Sequence, residues 1–230
     1  MKSKTILKVH FLAWLLLTLV SNQCFADVIK EAGTIKSIDG EAWTSQETLP
    51  KRELSEKSVV HVGDEITTGK KASLEILFKD KTSFTLGSES NFLITSFTYN
   101  KSADEDGMAV KMLKGSFRFI SGLIAKKKPK SMSVGTSVAT IGIRGTHVAG
   151  EVTATSAKIV LMEKEDSTAA NKIEVFNEFG SVSIDEAGYG TEIPDEFSPP
   201  SPVRRMTLQT INNLTRSIQR ANTPRPRPRF

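Results

Sequence analysis

Cysteine is almost absent from this 230-residue chain. The single copy, Cys24, lies among the first 26 residues, so a disulfide framework and a cysteine metal site are both excluded from everything that follows. Histidine is nearly as scarce: after position 26 there are only His61 and His147, far apart and without a metal-ligand spacing. A metal centre needs three or more convergent ligands, so the composition implies no metal and no cofactor. Long apolar runs are missing too. The longest, FLAWLLLTLV, has ten residues, short of the roughly 20 a membrane-spanning helix requires. Acidic residues stop altogether after Glu196.

What is present at the N-terminus accounts for that short run. Lys2, Lys4 and Lys8 precede it and SNQCFA follows it, which is the pattern of a secretory signal peptide over 1–26, cleaved near Ala26. Gln23 stands where a lipoprotein signal wants a small residue before the cysteine. The expected product begins at Asp27 and is periplasmic or secreted.

The formal charge of +5 conceals two opposed regions. All 26 acidic residues lie between Asp27 and Glu196 with 21 basic ones, which makes that body about −5; Arg204, Arg205, Arg216, Arg220, Arg225, Arg227 and Arg229 give the remainder +7. An acidic folded part in an exported chain argues against nucleic acid as a partner.

From Asp27 to about Ile184 the pattern is that of strands. In ASLEILFK, Ala72, Leu74, Ile76 and Phe78 fall on one face and Ser73, Glu75 and Lys79 on the other, with Leu77 the exception. Further short strands are legible in GTIKSI, EITT, MAVKMLK, SFRFI, THVAGEVT, AKIVLM, KIEVF and SVSI, separated by turn pairs such as Asp39-Gly40, Gly63-Asp64 and Asp106-Gly107. The expected fold is all-β: a sandwich, jelly roll or β-helix-like roll, followed by a short C-terminal amphipathic helix. The expected divisions are a β domain over 27–190, a Pro-rich linker over 191–203, a basic amphipathic helix over 204–220 and a Pro/Arg tail over 221–230. Thr207, Ile211, Leu214 and Ile218 supply the apolar face of that helix.

The stretch SMSVGTSVATIGIRGTHVAG, with VGDEITTGKKASLEILFKDKTSFTLGSESNFLI and LKGSFRFISG before it, resembles a FecR-type periplasmic domain over roughly Gly33 to Ile184. The most specific segment carries Val134, Thr136, Ala139, Ile143, Arg144, Gly145 and Thr146 in the positions of the family's V-R-G-T signature. Ser137 replaces the usual proline, Lys81-Thr82 replaces the usual Gly-Ser after Asp80, and His147-Val148 replaces a residue followed by Phe. The resemblance implies a protein-binding domain of signalling systems, here without the anti-sigma segment and membrane span of the full transducers.

Read as residues, Ile143-Arg144-Gly145-Thr146-His147 is a corner in a sheet. Gly145 permits the bend, Thr146 starts the returning strand, and Arg144 is expected to turn inward onto carbonyls that the bend leaves unpaired; contact with a partner is its alternative role. A Thr-His neighbour pair is a poor nucleophile and base, since successive side chains on a strand point to opposite faces. Glu151 and Glu163 are the remaining carboxylate pair to weigh. Trp43 is expected in the core with Phe84, Phe92, Phe97, Phe117 and Phe119, with stacking on a glycan ring as the alternative. Lys126-Lys127-Lys128-Pro129-Lys130 reads as a solvated basic loop, and the seven C-terminal arginines as contacts either to the acidic body or to an anionic surface.

The function expected from these features is that of an exported, non-enzymatic binding or signalling accessory in the bacterial cell envelope. It would act through contacts with an envelope or membrane sensor protein. The alternative is a module that holds peptidoglycan, polysaccharide or lipopolysaccharide.

Overall fold

Alternation of side chains, legible in the sequence, becomes burial in the computed structural model, which describes residues 30–47, 49–100, 105–128, 130–163 and 171–219. The expected signal peptide and the Pro/Arg tail lie outside the described residues. In β6 (Ser73–Phe78), Leu74, Ile76 and Phe78 are fully buried while Glu75 and Leu77 are half-buried on the opposite face.

Before β6 come β1 (Glu31–Asp39), β2 (Ala42–Gln46), β3 (Leu49–Glu53), β4 (Val59–His61) and β5 (Glu65–Thr68). After it come β7 (Ser83–Leu86), β8 (Asn91–Thr98), β9 (Gly107–Ile120), β10 (Met132–Gly135), β11 (Thr140–Arg144), β12 (His147–Val152) and β13 (Ala157–Leu161). The chain then forms β14 (Lys172–Asn177), β15 (Gly180–Ile184), β16 (Tyr189–Ile193) and the two-residue β17 (Arg204–Arg205). A short helix, α1 (Leu123–Lys127), follows β9, and α2 (Leu208–Gln219) follows β17.

These strands make a two-layer sandwich. One layer runs β4-β1-β6-β7-β9-β12-β13-β16-β17, the other β3-β2-β5-β8-β9-β10-β11-β14-β15. Strand β9 belongs to both. Its first half pairs with β8 and, in parallel, with β10; its second half pairs with β7 and β12. Phe84 on β7 and Phe92 on β8 meet between the layers with ring centroids 4.5 Å apart, and Phe117 and Phe119 extend the same cluster. The fold is therefore the all-β sandwich among the expected alternatives.

Two short strands, MAVKMLK and SFRFI, are thus one. The chain passes from layer to layer at Gly115, where φ is +107° and a Cβ would stand 2.6 Å from the Cα of Ser90. Only glycine admits both that backbone angle and that approach, so the residue that looked like a break between strands is a bend within one.

The helix is shorter than expected. Arg204 and Arg205 pair with β16 instead of starting it, and the Arg204 guanidinium lies 2.6 Å from a Glu192 carboxylate oxygen. Three of the four expected stripe residues face the body: Leu214 and Ile218 are buried, and Leu214 and Ile211 meet Val160 of β13 and Met206, whereas Thr207 stands exposed before the helix. α2 thus covers part of the outer face of the first layer. The Pro-rich stretch 191–203 begins inside β16 and then returns beside it. Ser201, between Pro200 and Pro202, still has an N–H, and donates it to the Glu192 carbonyl at 2.9 Å; the Thr191 hydroxyl bonds the Ser201 carbonyl at 2.7 Å.

Gly115→Ala is expected to destabilise the protein by about 2 kcal/mol or more, and Gly188→Ala, at φ +82° with open space around it, by about 1 kcal/mol. Urea unfolding checks the ranking. Leu214→Ala should cost about 2 kcal/mol by uncovering Val160 and Met206, read as a lower melting temperature.

Candidate functional site

The signature segment occupies the step between layers that follows β11. β11 lies in the second layer and β12 in the first, so Gly145 and Thr146 carry the chain across, with φ +73° at Gly145. The step is tied to the end of β9: the Thr146 N–H donates to Ser121 Oγ at 2.8 Å and the Ser121 N–H donates to the Thr146 carbonyl at 3.0 Å. Thr146 is buried, and its hydroxyl finds no partner among the described residues.

Arg144 does not turn inward. It is exposed on the outer face of the second layer, opposite Lys172 in register. The reason is parity: Ile141 and Ile143 point into the sandwich, so Arg144 must point out, and the amide of the bend takes Ser121 instead of a guanidinium. The chain turns at Gly145, and Arg144 stands on the outer face before that turn, not inward as expected.

A second interior polar anchor, at the other side of the end of β9, is Asp80. Fully buried in the turn before β7, its carboxylate accepts from the Thr82 N–H at 3.0 Å, the Thr82 hydroxyl at 2.8 Å and the Ile124 N–H at 3.3 Å. Thr82 Oγ1 in turn accepts from the Gly122 N–H at 3.0 Å, and the Asp80 carbonyl from the Leu123 N–H at 2.8 Å. A Cβ on Gly122 would collide with the backbone of Asp80, Lys81 and Thr82, so glycine is required there too. The Asp-x-Thr spacing, which favours a local side-chain turn, was the available signal. Lys81, where the family carries glycine, sits at φ +70°. It keeps the turn's left-handed conformation at a cost glycine would not incur.

Other candidates separate in space. His147 Nδ1 lies 2.8 Å from the Glu163 carbonyl, and His61 lies 3.7 Å from the Asp64 carboxylate. Glu151 and Glu163 line different cavities: the first, of about 810 Å³, lies between β9, the β12–β13 turn and α2; the second, of about 720 Å³, lies beside Met206. They form no pair. Among the described residues no group of three or more His, Cys, Asp or Glu could hold a metal, and no helix is long and apolar enough to cross a membrane. The Lys126–Lys130 loop starts inside α1, where Lys127 approaches the Asp106 carboxylate at 3.6 Å and the Tyr99 ring centroid at 5.6 Å.

Trp43 leaves the core, unlike Phe84, Phe92, Phe97, Phe117 and Phe119, which are all buried. It lies half-buried, paired in register with Thr67 and Glu53, and the Lys51 ammonium sits 4.5 Å from its ring centroid. A sugar stacking on the lysine-covered side would first have to displace that cation. Of the arginines, Arg204 is bound to Glu192, Arg205 lies on β17 and Arg216 borders the larger cavity with Glu89, Lys114 and Glu151. Arg220, Arg225, Arg227 and Arg229 lie outside the described residues. Sequence reading missed three exposed phenylalanines at one end of the sandwich: Phe176 (40% exposed), Phe179 (44%) and Phe197 (72%).

The sequence model of the family described as FecR protein matches residues 64–165, from the residue before β5 to beyond β13. Crystal structures at 1.65 Å and 2.50 Å of a candidate anti-sigma factor from Parabacteroides distasonis ATCC 8503 are similar over 64% of this chain, with 13% identity and a TM-score of 0.49. The similarity spans 62% of that protein's chain, less than two thirds of its length. No curated protein matches this sequence.

Asp80→Ala should cost about 2 to 3 kcal/mol by leaving buried donors unpaired, whereas Arg144→Ala, exposed, should stay within about 0.5 kcal/mol of the parent protein. Lys81→Gly should raise stability by up to about 1 kcal/mol by relieving the positive φ. Denaturant melts of the three variants test the assignment of the structural role to Asp80.

Proposed function

We propose that this protein is an exported, non-enzymatic binding or signalling accessory of the bacterial cell envelope, working through contacts with a sensor or other envelope protein. The observation that carries the proposal is the division of labour within the region that the FecR family model matches. Buried Asp80 and Thr82, in the hairpin between β6 and β7, and half-buried Ser121, after β9, spend their side chains holding the backbone at Gly122, Ile124 and Thr146, where the chain leaves β9 and where it steps from β11 to β12. Arg144 is left on an outer face together with Lys172, Glu174 and Phe176, available to another molecule. A surface of mixed charge with an aromatic side chain suits protein recognition better than catalysis, which would need a nucleophile and base brought together. Retention by peptidoglycan, polysaccharide or lipopolysaccharide is the weaker reading, because Lys51 already covers Trp43 and Arg204 is engaged by Glu192.

Affinity capture on the full chain from cross-linked envelope extract tests this. The expected result is a stoichiometric protein partner whose recovery falls severalfold with Arg144→Ala while the melting temperature holds. Retention of the chain on isolated peptidoglycan or lipopolysaccharide, with no protein partner, would replace it with the module reading.

A further inference from the structure

A sandwich has four lateral edges, and three of these are guarded. β3 carries Pro50, Lys51 and Arg52; β4 has only three residues; and the edge beside β16 is closed by Ser201 and β17, with Pro202, Arg204 and Arg205 along it. Proline, charge and brevity are the ordinary means of stopping a foreign strand from pairing. The fourth edge, β15, has none of them. Gly180-Ser181-Val182-Ser183-Ile184 is five residues long, uncharged, free of proline and paired to β14 without a bulge. Its one registered pairing among the described residues is with β14, while β16 pairs with β13 and β17.

Register says which groups are on offer. Asn177 and Gly180 close a two-residue turn, so they, Val175 with Val182, and Ile173 with Ile184 are the pairs that exchange hydrogen bonds within the hairpin. Ser181 and Ser183 then aim their N–H and C=O groups away from β14. Both residues are exposed. The turn is held rigid from within: the Asn177 side chain accepts from the Phe179 and Gly180 N–H groups and donates to the carbonyls of Val138 and Ser198.

The surroundings specify the occupant. Between Ile173 and Val203 there are seven carboxylates and no lysine or arginine. Glu178 lies at one end of β15, Asp185 and Glu186 at the other, all exposed. A second copy pairing antiparallel about Val182 would set Glu178 against Glu186 at both ends of the new ladder, so like charge opposes self-association. Exposed Phe176 and Phe179 flank the strand and offer apolar contact.

We infer that β15 is a strand-addition site that receives an extended segment of another protein, uncharged and β-branched at its centre and basic at both ends. The inference rests on the protein-contact reading above and gives that contact a place and a chemistry. Backbone pairing supplies the affinity, and the carboxylates select the ends.

The test uses the full chain and two synthetic ten-residue peptides, each with a central Thr-Val-Thr-Val-Thr-Val, one carrying two lysines at each end and the other two glutamates. The lysine peptide should slow amide exchange at Ser181 and Ser183 and bind about tenfold more tightly than the glutamate peptide, the preference fading with salt. Ser183→Pro, which removes an N–H that the fold does not use, should abolish binding with an unchanged near-ultraviolet spectrum. The double variant Glu178→Lys, Glu186→Lys should reverse the peptide preference and keeps the inference testable if the proline variant is unfolded. Protection elsewhere, none at all, or equal binding of both peptides would overturn it. So would protection of the same amides without peptide that rises with protein concentration, which makes a second copy the occupant, or that vanishes on deleting 220–230, which makes it the chain's own tail. If the peptides fail while envelope capture still yields a partner that Ser183→Pro does not release, the protein-contact reading survives and β15 is not its site.

Discussion

Strand β9 is the constraint on which the sandwich depends. Fourteen residues long, it pairs on both sides in each layer, and its passage between layers requires Gly115 at φ +107° against Ser90. From that strand the order of all others follows. The N-terminal strands approach it from the far edges, β8, β5 and β2 in one layer and β7, β6 and β1 in the other. The C-terminal strands leave it in hairpins that alternate between layers. Phe117 and Phe119 on β9 stack with Phe84, so the same strand that sets the topology also centres the core.

Stepping repeatedly between layers leaves backbone amides at each crossing away from any ladder, and buried amides must be bonded. The chain meets this with side chains close to the end of β9. Asp80 and Thr82 bond the start of α1, and Ser121 bonds the step at Thr146. These polar groups are therefore structural, and the outward residues of the same strands take no part in that bonding. Arg144 illustrates the division, one position beyond a fully buried isoleucine and exposed because of it.

Much of the architecture was legible in sequence because strand alternation depends on local pattern alone. Leu74, Ile76 and Phe78 were assigned to the core by spacing, and the stripe of Ile211, Leu214 and Ile218 to one helix face, and burial agrees. The site was less legible. Spacing fixed that Arg144 and Gly145 stand at a bend, but not what bonds its amide, since Ser121 lies 25 residues away in sequence. Trp43 was drawn to the core by its size; register with Thr67 and a cation over its ring put it outside. The prolines of 191–203 suggested a linker, yet one N–H at Ser201 was enough to dock the segment on β16.

By itself the sequence determined the all-β class, the bend at Gly145, the amphipathic face of α2 and the separation of an acidic body from a basic C-terminal segment. Each is a local property, set by the period of side chains along a strand or helix and by where charges are written in the chain. Only the tertiary structure decided that MAVKMLK and SFRFI are one strand shared by two layers, that α2 lies against β13, and that β15 is left at an unguarded edge. Those outcomes turn on which segments distant in sequence come into register, and an isolated strand carries no record of its neighbours: the same five residues, GSVSI, would be an interior strand if another lay beside them.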